Sequence, residues 1–181
     1  MNTFVPHGRD FPRCAQDLDK RRLGKQLVEC EQIYNALTTG GPAHILHHPA
    51  TQMWDGHRWK LACYAKACHE EWVWCYGKSH ASGNWCASVG PWKGAEDVTP
   101  FPSWLEAVAP LHRAKLYAKD PVHYCQYTER GGDNARYPVT KHGQVIDWVE
   151  RVGKRWKLDG VGKKTFTTGW AAIQFARSIA P

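Results

Sequence analysis

Leu23, Leu27, Cys30, Tyr34 and Leu37 recur at spacings of four, three, four and three. That repeat is the single apolar stripe of an amphipathic α-helix, which is stable only when the stripe is buried against a partner. The spacing predicts a helix from near Pro12 to about Leu37, stopped by "TTGGP" at 38–42. A stretch rich in Ala, Trp and Cys predicts a second helix from Pro49 to Tyr76, interrupted at Gly56, and Leu105, Val108, Leu111 and Leu116 predict a third from Ser103. Ser103 with Glu106 three residues on reads as a capping box, and Pro110 as a bend. Val145, Trp148, Val149, Val152 and Trp156 predict a fourth helix over Gly143–Trp156, and a last one spans Lys163–Ile179. "HILHHPA" at 44–50, residues 77–102 and "TERGGDNARYPV" read as loops. The expected fold class is all-α: a helical domain over 1–140 and a C-terminal helical pair over 141–181 joined by a Gly-rich hairpin.

One flank of the first stripe carries Arg22, Gln26 and Glu29, with Arg21 and Lys25 farther round the helix at about 100° per residue. Glu29 therefore sits at the border of core and solvent among cations. A surface built to hold a polyanion excludes carboxylates, so one placed there points to a chemical role. The plain alternative is an i,i+4 ion pair with Lys25, worth only a few tenths of a kcal/mol.

The net charge is +7 and the pI about 9.1, which favours an anionic partner. The excess is local. Residues 9–25 hold Arg9, Arg13, Lys20, Arg21, Arg22 and Lys25, and residues 141–164 hold seven Lys or Arg. Ten tryptophans serve both as core and as flat surfaces for stacking. Seven cysteines with no CxxC pair suggest reduced thiols in a cytoplasmic setting rather than a disulfide frame or zinc ribbon. The opening "MNTFVPHGRDFPR" has no apolar run of the signal-peptide kind, and no segment is apolar for the roughly 18 residues a membrane span needs.

"LDKRRLGKQLVECEQI" at 18–33 resembles the first helix of the pyrimidine-dimer DNA glycosylases of the phage T4 endonuclease V type. "HHPATQMW", "EEWVWCYGK" and "PLHRAKLYAKDPVHYCQY" follow in the same order as that family's later helices. The gapped similarity covers about residues 1–127. It implies a compact all-α enzyme that works as a monomer on damaged DNA without a cofactor or metal. It also implies attack of an N-terminal amine on C1′ of the damaged nucleotide, a Schiff base, and β-elimination. The family's essential glutamate falls on Glu29, its nucleophilic residue on Asn2, and a DNA-contacting pair on Arg21 and Arg22. The family's late aromatic segment falls on His123, Tyr124 and Tyr127, and His48 lies in a stretch resembling its binding surface. An α-amine, with an ordinary pKa of about 7.7–8.0, suits this role because it is readily neutral. The chain departs from the family at Asn2, where the family has a small residue exposed by methionine removal, so the amine could be that of Asn2, that of Met1, or unused. It departs again at Val28 and Gln32, where the family has arginines. Cys125 stands where it has lysine. These departures bear on lesion specificity more than on base excision.

"LDGVGKKTFTTGW" at 158–170 resembles the hairpin of helix-hairpin-helix modules, with Gly160, Gly162 and Lys163 as phosphate ligands. In one glycosylase superfamily a lysine at the position of Lys164 is the nucleophile. No acidic residue follows Asp159 to assist it, so Lys164 reads as a phosphate ligand. His44, His47 and His48 lack a completing ligand set for zinc.

The sequence thus leads to a DNA glycosylase with AP-lyase activity on damaged or modified pyrimidines. Glu29, Asn2 and Arg22 would be catalytic. Arg21, Lys25, Gln26, His48, Tyr124, Tyr127, Gly160, Gly162, Lys163 and Lys164 would bind DNA. The alternatives are a non-catalytic DNA-binding protein on the same scaffold and an enzyme for hypermodified viral bases.

Overall fold

The computed structural model describes residues 2–89, 100–127, 136–141, 144–152, 155–161, 164–167 and 169–180. The expected first helix is two. α1 (Phe11–Gln16) is followed by a break, and α2 (Lys20–Thr39) starts afresh. The aspartates cause the break. Asp10 caps α1 by accepting from Arg13 N, and Asp19 caps α2 by accepting from Arg22 N at 3.0 Å. α2 buries Leu23, Leu27, Cys30 and Ile33. It packs on α5 (Arg58–Tyr76), the central helix, whose Leu61, Tyr64, Ala65 and Cys68 have no exposed surface. Gly24 permits that approach: a Cβ there would lie 2.9 Å from the Trp72 ring.

The short helix α3 (Ala43–Leu46) occupies the stretch expected as a loop, whereas α4 (Pro49–Met53) and α5 are the expected second helix, broken around Gly56; α6 (Gly83–Ser88) lies inside the expected loop at 77–102. α7 (Trp104–Lys119) carries Pro110 within it. Its expected capping box does not form. Ser103 makes no capping bond, and the Glu106 carboxylate instead accepts from Arg9 N at 3.3 Å and faces Arg9 Nε at 3.4 Å.

The all-α expectation fails beyond residue 135. β1 (Arg136–Lys141), β2 (Gln144–Val152), β3 (Arg155–Leu158) and β4 (Thr165–Phe166) form one antiparallel sheet in the order β1-β2-β3-β4. The presumed helix over Gly143–Trp156 is β2 and β3. Its apolar residues met the helical spacing, but they are β-branched or aromatic, types that fit a pleated surface. By strand parity Val149 and Val152 point to opposite faces. Val149 is buried opposite Leu158, whereas Val152 is 43% exposed.

α8 (Gly169–Ile179) covers one face of the sheet with Ala172, Ile173 and Ala176. The last helix is therefore shorter than expected and follows a strand. Strand β3, not a helix, leads into the 158–170 segment, so the first helix expected of a helix-hairpin-helix is not found there among the described residues. β1 rests on α4 and α7, and Val139, Val149 and Leu158 join the helices' core. Arg177 of α8 ties to α4 through Gln52 at 3.2 Å and faces Asp55 at 3.9 Å.

Candidate active site

The terminal segment 2–5 enters the helical body, and side chains hold its backbone. Asn2 N donates to Glu29 Oε2 at 3.0 Å. Gln26 Nε2 donates to the Asn2 carbonyl at 3.2 Å, and Gln26 Oε1 accepts from Phe4 N at 2.7 Å. The Tyr64 hydroxyl donates to the Phe4 carbonyl at 2.5 Å and lies 3.1 Å from Gln26 Oε1. Trp54 Nε1 donates to Thr3 Oγ1 at 2.8 Å. Val5 N donates to His112 Nδ1 at 3.0 Å. That acceptance needs a neutral imidazole; burial, with Lys115 adding, pushes His112 down to about 3.

Glu29 is 4% exposed. Its Oε1 lies 3.6 Å from Lys25 Nζ, so the ion pair considered from sequence is present along with the contact to residue 2. Next to it opens a cleft of about 270 Å³ lined by Phe4, Arg21, Arg22, Lys25 and Lys119. Four cations converge there, three from α2 and one from the end of α7. Arg22 is also a structural residue. It bonds to Asp19, lies 4.0 Å from Asp120 Oδ2, and stacks its guanidinium 5.3 Å over the Tyr124 ring. Burial alone would raise the Asp19 carboxyl, but hydrogen bonds from Tyr124 and Arg22 outweigh it and hold it below the usual range.

The sequence-derived set divides. Glu29, Asn2, Arg21, Arg22 and Lys25 come together around the cleft and the terminal segment. Gln26 does not face DNA: it is 1% exposed and its oxygen and nitrogen grip the terminal backbone. Tyr124 and Tyr127 are core rings, stacked on each other at 5.9 Å, with hydroxyls bonded to Asp19 and Asp17. They offer no ring face to a base. His48 caps α4, its Nδ1 accepting from Ala50 N at 3.0 Å. With His44, His47, Trp156 and Gly169 it lines a second cavity of about 350 Å³.

Gly160 N is taken by the Asp147 carboxylate at 3.1 Å, so it is not a phosphate donor. Lys164 is exposed, with its ammonium 3.6 Å above the Phe175 ring. Gly162 and Lys163 lie outside the described residues. Among the described residues no cluster of His, Cys, Asp and Glu could hold a metal, and no helix is long and apolar enough to cross a membrane. Sequence reasoning missed Lys119, Tyr64, Trp54 and His112. Trp54 reaches the site from the end of α4, Tyr64 from α5, and His112 and Lys119 from α7, and no local pattern marks them.

Residues 1–74 match the family of pyrimidine dimer DNA glycosylases. The match spans the terminal segment, Glu29 and α1 to α4, and most of α5, and it supports the resemblance to the T4 endonuclease V type. At the level of this glycosylase family the activity is removal of a base from DNA, and the partner is DNA. The match does not extend to Lys119 or to the sheet. No curated protein and no solved structure matches the chain significantly.

Proposed function

We propose that the chain excises damaged or modified pyrimidines from DNA, with Glu29 as the acid/base group and the nitrogen of residue 2 as the nucleophile. The carrying observation is the 3.0 Å contact between Asn2 N and Glu29 Oε2 beside the cationic cleft. Cleavage before Asn2 would turn that nitrogen from a peptide amide into an amine with a free electron pair. The pair attacks C1′, and the C1′–base bond breaks with its electrons leaving on the base, which gains a proton. Opening of the C1′–O4′ bond then gives an iminium and a 4′-hydroxyl. Removal of a C2′ proton expels the 3′ phosphate. Glu29 is within reach to take and return these protons, while Arg21, Lys25 and Lys119 hold the flanking phosphates. The damaged nucleotide or its partner base leaves the stack.

A second reading follows if Met1 stays. Asn2 N is then an amide that donates to Glu29, as observed, and Glu29 would activate water for base release without strand cleavage. Borohydride trapping on duplexes carrying an abasic site or a cyclobutane dimer, with intact mass of the purified chain, tests both. A covalent adduct that disappears in Glu29→Gln supports the amine route. Base release without adduct supports the water route. Tight binding with neither makes the protein a non-catalytic binder and overturns the proposal.

A further inference from the structure

We infer that Gln26 is a positioning residue that sets the nucleophile against its base, an inference that rests on the amine route above. Gln26 and Glu29 are three residues apart on α2, so they stand one turn apart on the same face. Glu29 holds the nitrogen of residue 2, and Gln26 holds the carbonyl of the same residue and the N–H of Phe4. Three bonds from a single helical turn thus fix the first peptide units. The Phe4 N–H requires an oxygen opposite it, which orients the Gln26 carboxamide and leaves its nitrogen for the Asn2 carbonyl. Tyr64 braces the clamp from α5.

This arrangement does a specific thing. A terminal residue ordinarily frays, and a fraying amine would sample many positions around C1′. Tying the carbonyl of residue 2 leaves only rotation about its own backbone, and Glu29 receives the nitrogen at the end of that short lever. Gln26 touches no substrate; it is closed off from solvent. Its effect must therefore appear in the chemical step and not in DNA affinity.

The test compares wild type with Gln26→Met, Gln26→Glu and Tyr64→Phe. Three quantities are read: single-turnover borohydride trapping on an abasic duplex, affinity for that duplex, and the pH dependence of reductive methylation of the residue-2 amine without DNA. Gln26→Met should trap about 100-fold more slowly while affinity stays within about twofold, and its methylation midpoint should move from that of wild type. Gln26→Glu, which keeps the acceptor for Phe4 N, should recover part of the rate. Should Gln26→Met fail to fold, Tyr64→Phe should show a smaller loss in the same direction. Wild-type rates and an unshifted midpoint in folded variants would overturn the inference, as would parallel loss of affinity and rate. If a chain shown by intact mass to begin at Asn2 forms no adduct, the amine route fails, and the methylation midpoint still reports whether Gln26 holds residue 2 in place; a chain that keeps Met1 has an amide there, which overturns the inference together with the amine route.

Discussion

Glu29 was legible as an oddity before any coordinates: a carboxylate among Arg21, Arg22 and Lys25. What faces it was not legible, because residue 2 is 27 positions away in the chain. Replacing Glu29 by Gln keeps the size and removes the base. Trapping and strand cleavage should fall by about 10²- to 10⁴-fold with little change in DNA binding. Lys119 contributes charge to the cleft and is expected to act by counterion release. Lys119→Ala should weaken binding to all duplexes alike and reduce the slope of log K against log salt by about 1. Histidine burial gives a pH signature. The values of His112 and His48 are lowered by burial from 6.5 to about 3 and about 4, and those of His57, His69 and His80 move the same way. Protonation then favours the unfolded chain. Stability should be full above pH 6.5 and decline as pH falls below it, by up to about 1.4 kcal/mol per pH unit for each of His112 and His48, with the more exposed histidines adding less. Urea midpoints between pH 7 and pH 4.5 would show the decline, and His112→Gln should make it shallower.

At the scale of elements, the chain punctuates itself with aspartate more than periodicity reveals. Asp19 caps α2, accepts from Tyr124 and pairs with Arg22. Loss of the cap alone costs about 1 kcal/mol. With the buried Tyr124 hydroxyl then left without an acceptor for its proton, though the N–H of residue 19 still donates to its oxygen, Asp19→Ala should lower thermal stability by more than that, as calorimetry would show. Of the helices that could be read, α2 and α7 have apolar stripes and clear stops, while α5 showed itself by its Ala, Trp and Cys content. The sheet could not be read by period because Val145, Trp148, Val149 and Val152 satisfy the helical repeat numerically. Residue type was the better guide there, since Val, Ile and Trp crowd the segment. The capping box at Ser103 misled for another reason. Glu106 found a better partner in Arg9, far away in sequence, and such a choice is made only in the folded chain.

Among the described residues, one buried cluster runs from Phe4 through the helices to Val139, Val149, Leu158 and Ile173. The C-terminal sheet and α8 are thus part of the same core as the helices that line the cationic cleft. Leu158→Ala should destabilise by about 2–5 kcal/mol. The loss should appear equally in far-UV circular dichroism and in the tryptophan signal from the helical body; separate transitions by the two probes would contradict a shared core. The threaded amino end has a practical corollary. A purification handle fused ahead of residue 2 would leave an amide where the proposed amine route needs a free amine, while the clamp and the fold remain intact. Such a preparation should grip abasic DNA normally yet never become linked to it, and cutting the handle away before Asn2 should switch the linkage on.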